Sequence, residues 1–337
     1  MCFINLLKLD FFVKYNIILA YWRKFMNIFK LAKSFKAFLE YDRDLQIYYD
    51  ELRDYCEYIN DFVMKRINCS DLNEIPIPQI TEKEAIFIKQ TFLNYPYPKK
   101  LKNLALKLYA STDFNNLLFC ANNLRNVQVR RDFDLDRLNE MVGTYDSKNN
   151  LIVYNDFESL PHEFLHLASA PVTLNQQNAD FSGFRYGTND FSFGKGINEG
   201  YTEMLTRRIF FDENYNTPSY LTNVYAARLF ELLYDDVKDM ESDYFHANYQ
   251  GPIAHFIKYG LIEEFFELSK HLDFLAVATA KDGEDIETLK FIKQIILRTE
   301  DSKKISDAED IIDEYCENTG SRPHNRIFSF TKKHHFR

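Results

Sequence analysis

Between Ser34 and Asn68 the apolar residues Phe38, Leu39, Leu45, Ile47, Tyr48, Leu52, Tyr55, Ile59, Phe62 and Val63 recur at mostly three- and four-residue steps, with acids between them. That period places one apolar stripe along a helix and predicts an amphipathic helical stretch. Glu74–Gln79 breaks the pattern with two prolines. Two more helices are predicted over Glu82–Leu93 and Lys100–Tyr109, separated by a turn at Pro96 and Pro98. The texture changes near Val127. VQVR reads as extended, and MVGTYDSKNNLIVYND reads as a β-hairpin, with strands at Val142–Tyr145 and Leu151–Tyr154 around a polar turn. ESLPHEFLHLASAP then predicts a short helix: Ser159 is available as a cap, Pro161 sits where a missing N–H is harmless, and Pro171 forbids continuation. Residues 172–195 are polar and read as a loop, and a helix restarts near Ile197. Helical periodicity then dominates from Tyr220 to Cys316, at Val224–Tyr234, Ala254–Leu268, Ile286–Leu297 and Ala308–Tyr315.

These patterns predict an α+β fold, predominantly helical, with a small sheet in its centre. The expected division is an N-terminal helical region (1–119), a core (120–210), a C-terminal helical region (211–316) and a basic tail (317–337).

Composition narrows the possible functions. The 337 residues are 46% hydrophobic, with 31 Phe and 22 Tyr, and most of those rings are expected in the core, where aromatic side chains contribute most. The first 35 residues carry six Lys and Arg against one Asp, and the last 17 carry five with no acid. The net charge of −9 therefore leaves −19 for residues 36–320. An acidic body excludes nucleic acid as the principal ligand, since phosphate binding needs a basic surface.

Five cysteines, widely spaced and without a CxxC pair, fit a reducing compartment and argue against a disulfide framework or a thiolate zinc site. The cytoplasm is the expected location. Lys8, Asp10 and Lys14 interrupt the apolar N-terminus, so it falls short of the ~20 residues of a membrane span. It also lacks the features of a secretory signal. Met26 offers a second start, which leaves open whether residues 1–25 are translated.

The chemistry is concentrated in His162, Glu163 and His166, an HExxH pattern on the short helix. Residues four apart share a helix face, so both imidazoles can reach one ion. Glu163, one step round, can reach a water beside that ion without ligating it. This is the pattern of a catalytic zinc with Glu as general base. A third protein ligand is required. The HExxHxxGxxH extension is absent, because positions 169 and 172 are Ser and Val. Downstream, INEGYTE offers Glu199 and Glu203, again four apart on one face. With Glu199 as ligand, Glu203 is placed to accept a hydrogen bond from a ligand histidine.

HEFLH followed by INEGYTE resembles the gluzincin branch of zinc metallopeptidases. The thermolysin-like members carry GxINExxSD after their HExxH, and the aminopeptidase-N-like members carry LNEG there. The resemblance covers about residues 140–208. It implies a zincin-like core flanked by helical segments and one Zn²⁺ per chain held by His162, His166 and Glu199, with Glu203 behind them. It also implies a peptide or protein substrate lying along the hairpin by strand addition. A tyrosine or histidine over the oxyanion is implied as well. Tyr186, thirteen residues before Glu199, resembles the thermolysin-like tyrosine in relative position, and His246, Tyr249 and His255 are alternatives. The GxMEN motif of the aminopeptidases is missing, and the 32 residues between His166 and Glu199 differ from their spacing. The expectation is a zinc-dependent peptidase, either general or with one dedicated protein target. The alternative is a helical protein-interaction module with a structural or vestigial zinc site. Oligomeric state is not indicated.

Overall fold

A computed structural model describes residues 79–132, 143–171, 180–187, 192–211, 220–259, 261–276 and 284–320. They belong to one unit spanning residues 69–337. The helix expected over 34–68, the segment 1–25 and the tail beyond residue 320 lie outside the described residues. The described part is predominantly helical with small sheets.

Helix α1 (Glu82–Asn94) starts from a capping box in which Thr81 and Glu84 satisfy each other's backbone N–H groups. A 3₁₀ turn (Lys99–Leu101) leads into α2 (Lys102–Ser111), and another (Phe114–Leu117) leads into α3 (Leu118–Leu124). The expected hairpin is present. Strand β2 (Gly143–Asp146) runs antiparallel to β3 (Leu151–Tyr154), and β1 (Gln128–Arg131) joins β3 in parallel, giving the order β1-β3-β2. Helix α4 (Leu160–Ala168) follows and is buried along its whole length. Ser159 sits at its N-cap position, but the hydroxyl makes no cap bond to the helix; it donates to the Asp156 carbonyl at 2.8 Å.

The stretch expected as a loop, 172–195, contains a second three-stranded antiparallel sheet: β4 (Asp180–Ser182), β5 (Arg185–Gly187) and β6 (Ser192–Phe193). Strands of two or three residues are too short for alternation to register. Helix α5 (Lys195–Thr206) ends in a π-helical turn (Arg207–Phe211). Six more α-helices follow among the described residues: α6 (Leu221–Glu231), α7 (Val237–Phe245), α8 (Gln250–Lys258), α9 (Ile262–Leu275), α10 (Glu284–Ile296) and α11 (Ser302–Thr319). The single helix expected at 254–268 is thus two. The chain turns between them, with the Tyr259 and Leu261 N–H groups both bonded to the Phe256 carbonyl.

Helix α5 packs against α4, α6 and α9, and α4 also packs against α3 and strands β2 and β3. Much of the core is aromatic: Tyr154, Phe164, Phe184, Tyr201, Tyr225, Phe230 and Tyr244 are fully buried. Among the described residues, no helix is long and apolar enough to cross a membrane.

Candidate metal centre

A helix buried all round must bury its polar side chains too, and unpaired polar groups there are costly. On α4 those side chains are His162, Glu163 and His166. The two imidazoles lie one turn apart, with Nε2 atoms 3.0 Å from each other. Glu199, from α5, brings Oε2 to 3.1 Å from His162 Nε2 and 3.4 Å from His166 Nε2. Tetrahedral coordination with bonds of ~2.0–2.1 Å separates ligand atoms by ~3.3 Å. The three donors therefore already stand at about the spacing of one tetrahedral face, and two imidazole nitrogens with a carboxylate oxygen suit zinc chemistry. All three residues are buried.

The close approach of the two glutamates to α4 depends on how α5 is seated. Gly196 and Gly200, one turn apart, place no side chain between α5 and its neighbours α9 and α6. A Cβ on Gly196 would lie 2.1 Å from the Leu272 carbonyl of α9, and one on Gly200 would lie 2.1 Å from the Asn223 carbonyl oxygen of α6. Glycine weakens a helix interior, and here it permits close backbone packing of α5 against α9 and α6 beside the face that carries Glu199 and Glu203.

Glu203 Oε2 is 3.0 Å from His162 Nδ1, and Arg207 Nε donates to Glu203 Oε1 at 2.9 Å. With Glu203 accepting from Nδ1–H, the Nε2 lone pair of His162 is directed into the triangle. Burial opposes charge on His162, but the hydrogen bonds to Glu199 and Glu203 and the charge of Glu163 outweigh it and raise the imidazole to about 10. Burial likewise opposes ionisation of Glu199, and the charge of His166 with the bonds from both histidines holds its carboxyl well below the usual range. The site favours positive charge.

Glu163 stands beside the triangle and not in it. Its carboxylate lies against β2, where the Tyr145 N–H donates to it and where a Cβ on Gly143 would come within 2.9 Å of its Cγ and Oε1. Burial raises its pKa, with the charges of His162 and His166 acting in the opposite direction.

Two residues that sequence patterns did not single out complete the surroundings. Asn198 sets its amide nitrogen 3.3 Å from His166 Nδ1, while its oxygen accepts the Phe184 N–H. Tyr220 stacks on His162, with ring centroids 5.8 Å apart and planes 20° from parallel, and its hydroxyl donates to Glu199. Burial, then the charges of Glu199, Glu163 and Glu203, push this phenol upward, so it stays protonated as a donor. Its backbone is left-handed, at φ 54°, a strained conformation for a bulky residue.

Of the other candidates for an oxyanion donor, three make contacts of their own and the side chain of the fourth is outside the described residues. Tyr186 pairs through its backbone with Phe181 and Phe193 in β5, and its side chain lies outside the described set. His246 bonds to the Ser242 carbonyl at 2.8 Å and rests on Phe119. Tyr249 shares a hydrogen bond with Ser269 and packs on Phe265. His255 lies 4.1 Å from the Tyr234 ring. Comparison with protein-family models, with curated proteins and with solved structures gives no match.

Proposed function

We propose that this protein is a zinc-dependent peptidase of gluzincin type. The observation that carries it is the placement of the Glu163 carboxylate next to the His162–His166–Glu199 triangle but outside it, held by the backbone of an edge strand. His162, His166 and Glu199 would hold one Zn²⁺, and Glu203, accepting from His162 Nδ1–H, would orient that imidazole. When bound, zinc supplies Lewis acidity that acidifies water toward a pKa of ~7 and polarises a carbonyl.

Glu163 takes the proton of the attacking water and delivers it to the leaving amine. Its raised pKa suits both steps, because an acid–base group works best when its pKa lies closer to the operating pH. Tyr220, neutral and adjacent to His162 and Glu199, would turn its one O–H from Glu199 to the oxygen that becomes negative at the substrate carbonyl. A donor of this kind is worth about 10²–10³-fold in kcat.

The zinc content of purified protein and hydrolysis of a mixed peptide library test the proposal together. Wild type is expected to hold one zinc per chain and cleave. Glu163→Gln should keep the metal and lose cleavage, Glu199→Ala should lose the metal, and Tyr220→Phe should keep the metal and cleave about 10²–10³-fold more slowly. Hydrolysis retained in Glu163→Gln would remove the mechanism. The burial of His162, Glu163, His166 and Glu199, each 7–8% exposed, also suits a closed structural site in an interaction module. Zinc-loaded wild type that cuts neither peptides nor proteins would favour that alternative.

A further inference from the structure

We propose that Asp273, on α9, is a positioning residue for the metal-binding helix α5: it fixes the first turn of that helix and through it the placement of Glu199. This rests on the metal-site assignment above.

The first N–H groups of any helix have no partner within it, and a side chain at the N-cap usually supplies one. Helix α5 has no such side chain. Its N-cap is Gly194, in a left-handed conformation at φ 76°, and no local side chain caps it. A larger residue there is excluded, because a Cβ would lie 2.3 Å from the Phe184 carbonyl oxygen.

The missing acceptor comes from 77–79 residues downstream. Asp273 Oδ2 accepts the Gly194 N–H at 3.0 Å, and Oδ1 accepts the Gly196 N–H at 2.7 Å. Both carboxylate oxygens are thus spent on one helix start, where negative charge also complements the helix dipole. The neighbouring residue seals the contact: the Leu272 backbone lies against Gly196, and its carbonyl accepts the Asn223 side-chain N–H from α6 at 2.9 Å.

Glu199 follows Gly196 by three residues, less than one helical turn. A shift of the first turn therefore carries directly to the ligand oxygen, and zinc bonds tolerate only ~0.2 Å of displacement. In this arrangement α9 sets the geometry of a site whose ligand group, among the described residues, comes from α4 and α5.

The test compares Asp273→Ala and Asp273→Asn with Asp301→Ala. Asp301 caps α11 in a chemically similar way, accepting the Lys303 and Lys304 N–H groups, so its loss controls for simple helix capping. Zinc affinity is measured by competition with a chromophoric chelator, and site geometry by the visible spectrum of the cobalt-substituted protein. Asp273→Ala is expected to weaken zinc binding by about 10–100-fold and to change the cobalt spectrum. Asp273→Asn, which keeps one acceptor oxygen, should fall between it and wild type. Asp301→Ala should lower thermal stability and leave affinity and spectrum unchanged.

Wild-type affinity and spectrum in a folded Asp273→Ala would overturn the proposal. If the Asp273 variants do not fold, hydrogen exchange in wild type decides: the Gly194 and Gly196 amides should be as protected as the middle of α5, and fast exchange at both refutes the cap. A wild-type chain that binds no zinc would remove the metal assignment, while the exchange result would still report on the cap.

Discussion

At the scale of single residues, the Glu163 carboxylate is held by a neighbouring strand as much as by its own helix. Gly143 matters here because it has no side chain. A methyl group at that position would lie 2.9 Å from Glu163 Cγ, Glu163 Oε1 and the Ser159 hydroxyl, so Gly143→Ala must displace the carboxylate or the strand. The metal ligands are not touched. Zinc stoichiometry is expected to stay at wild type while kcat falls by about 10²-fold, the cost of a misplacement near 1 Å; unchanged kcat in this variant would show that the position of Glu163 is not critical. His162, Glu163 and His166 could be read in the sequence because a helical turn converts spacing directly into geometry. Glu199 and Glu203 were legible for the same reason once a third ligand was sought. Tyr220 and Asn198 were not. Tyr220 is one of 22 tyrosines, and neither its left-handed backbone nor its stacking on His162 follows from periodicity. Both arise where separate segments meet.

At the scale of elements, both helices that bring His162, His166 and Glu199 together have an end held by a side chain from another helix. Asp273 holds the start of α5. Asn123, from α3, holds the end of α4: its side-chain amide donates to the Leu167 and Ala170 carbonyls, each at 2.7 Å, and is buried. Carbonyls in the last turn of a helix lack partners within it, and leaving them buried and unpaired costs about 1–3 kcal/mol. Asn123→Ala should therefore lower stability by about that amount in urea titration, and a loss under about 0.5 kcal/mol would mean that other donors replace the amide. The long helices and the hairpin were visible in the sequence because each carries several repeats of its period. The second sheet was hidden in strands of two or three residues. The break between α8 and α9 was hidden because apolar residues continue through it, so periodicity alone joins the two helices. Polar anchors such as Asn123 and Asp273 leave no local pattern, since each partner lies tens of residues away.

At the scale of the whole molecule, the acidic middle has consequences beyond the metal centre. Glu241, on α7, is half-buried, and its carboxyl is raised to about 7. Burial is the main cause, and the charges of Glu231 and Asp113 add to it. Arg208 and Lys238 act in the opposite sense, but Arg208 is already engaged by both oxygens of Glu231, each at 3.0 Å. A carboxyl whose pKa is higher in the folded state than in the unfolded chain favours folding while it is protonated. That contribution is complete below about 4.5, the unfolded value, and is lost as pH rises through about 7. Asp273, also raised to about 7 chiefly by burial, acts in the same direction. His255 acts oppositely and over a lower range: burial depresses it to about 4, so stability is gained as pH rises from there toward 6.5. Glu241→Gln isolates one contribution, because glutamine keeps the shape and cannot ionise. The variant and wild type should differ little near pH 4.5. At pH 8 the variant should be more stable by on the order of 1–3 kcal/mol, the upper end corresponding to the full shift. Denaturant titrations of both proteins across that range measure the difference directly, and a gap that does not widen with pH would show that Glu241 ionises in the folded protein as readily as in the unfolded chain.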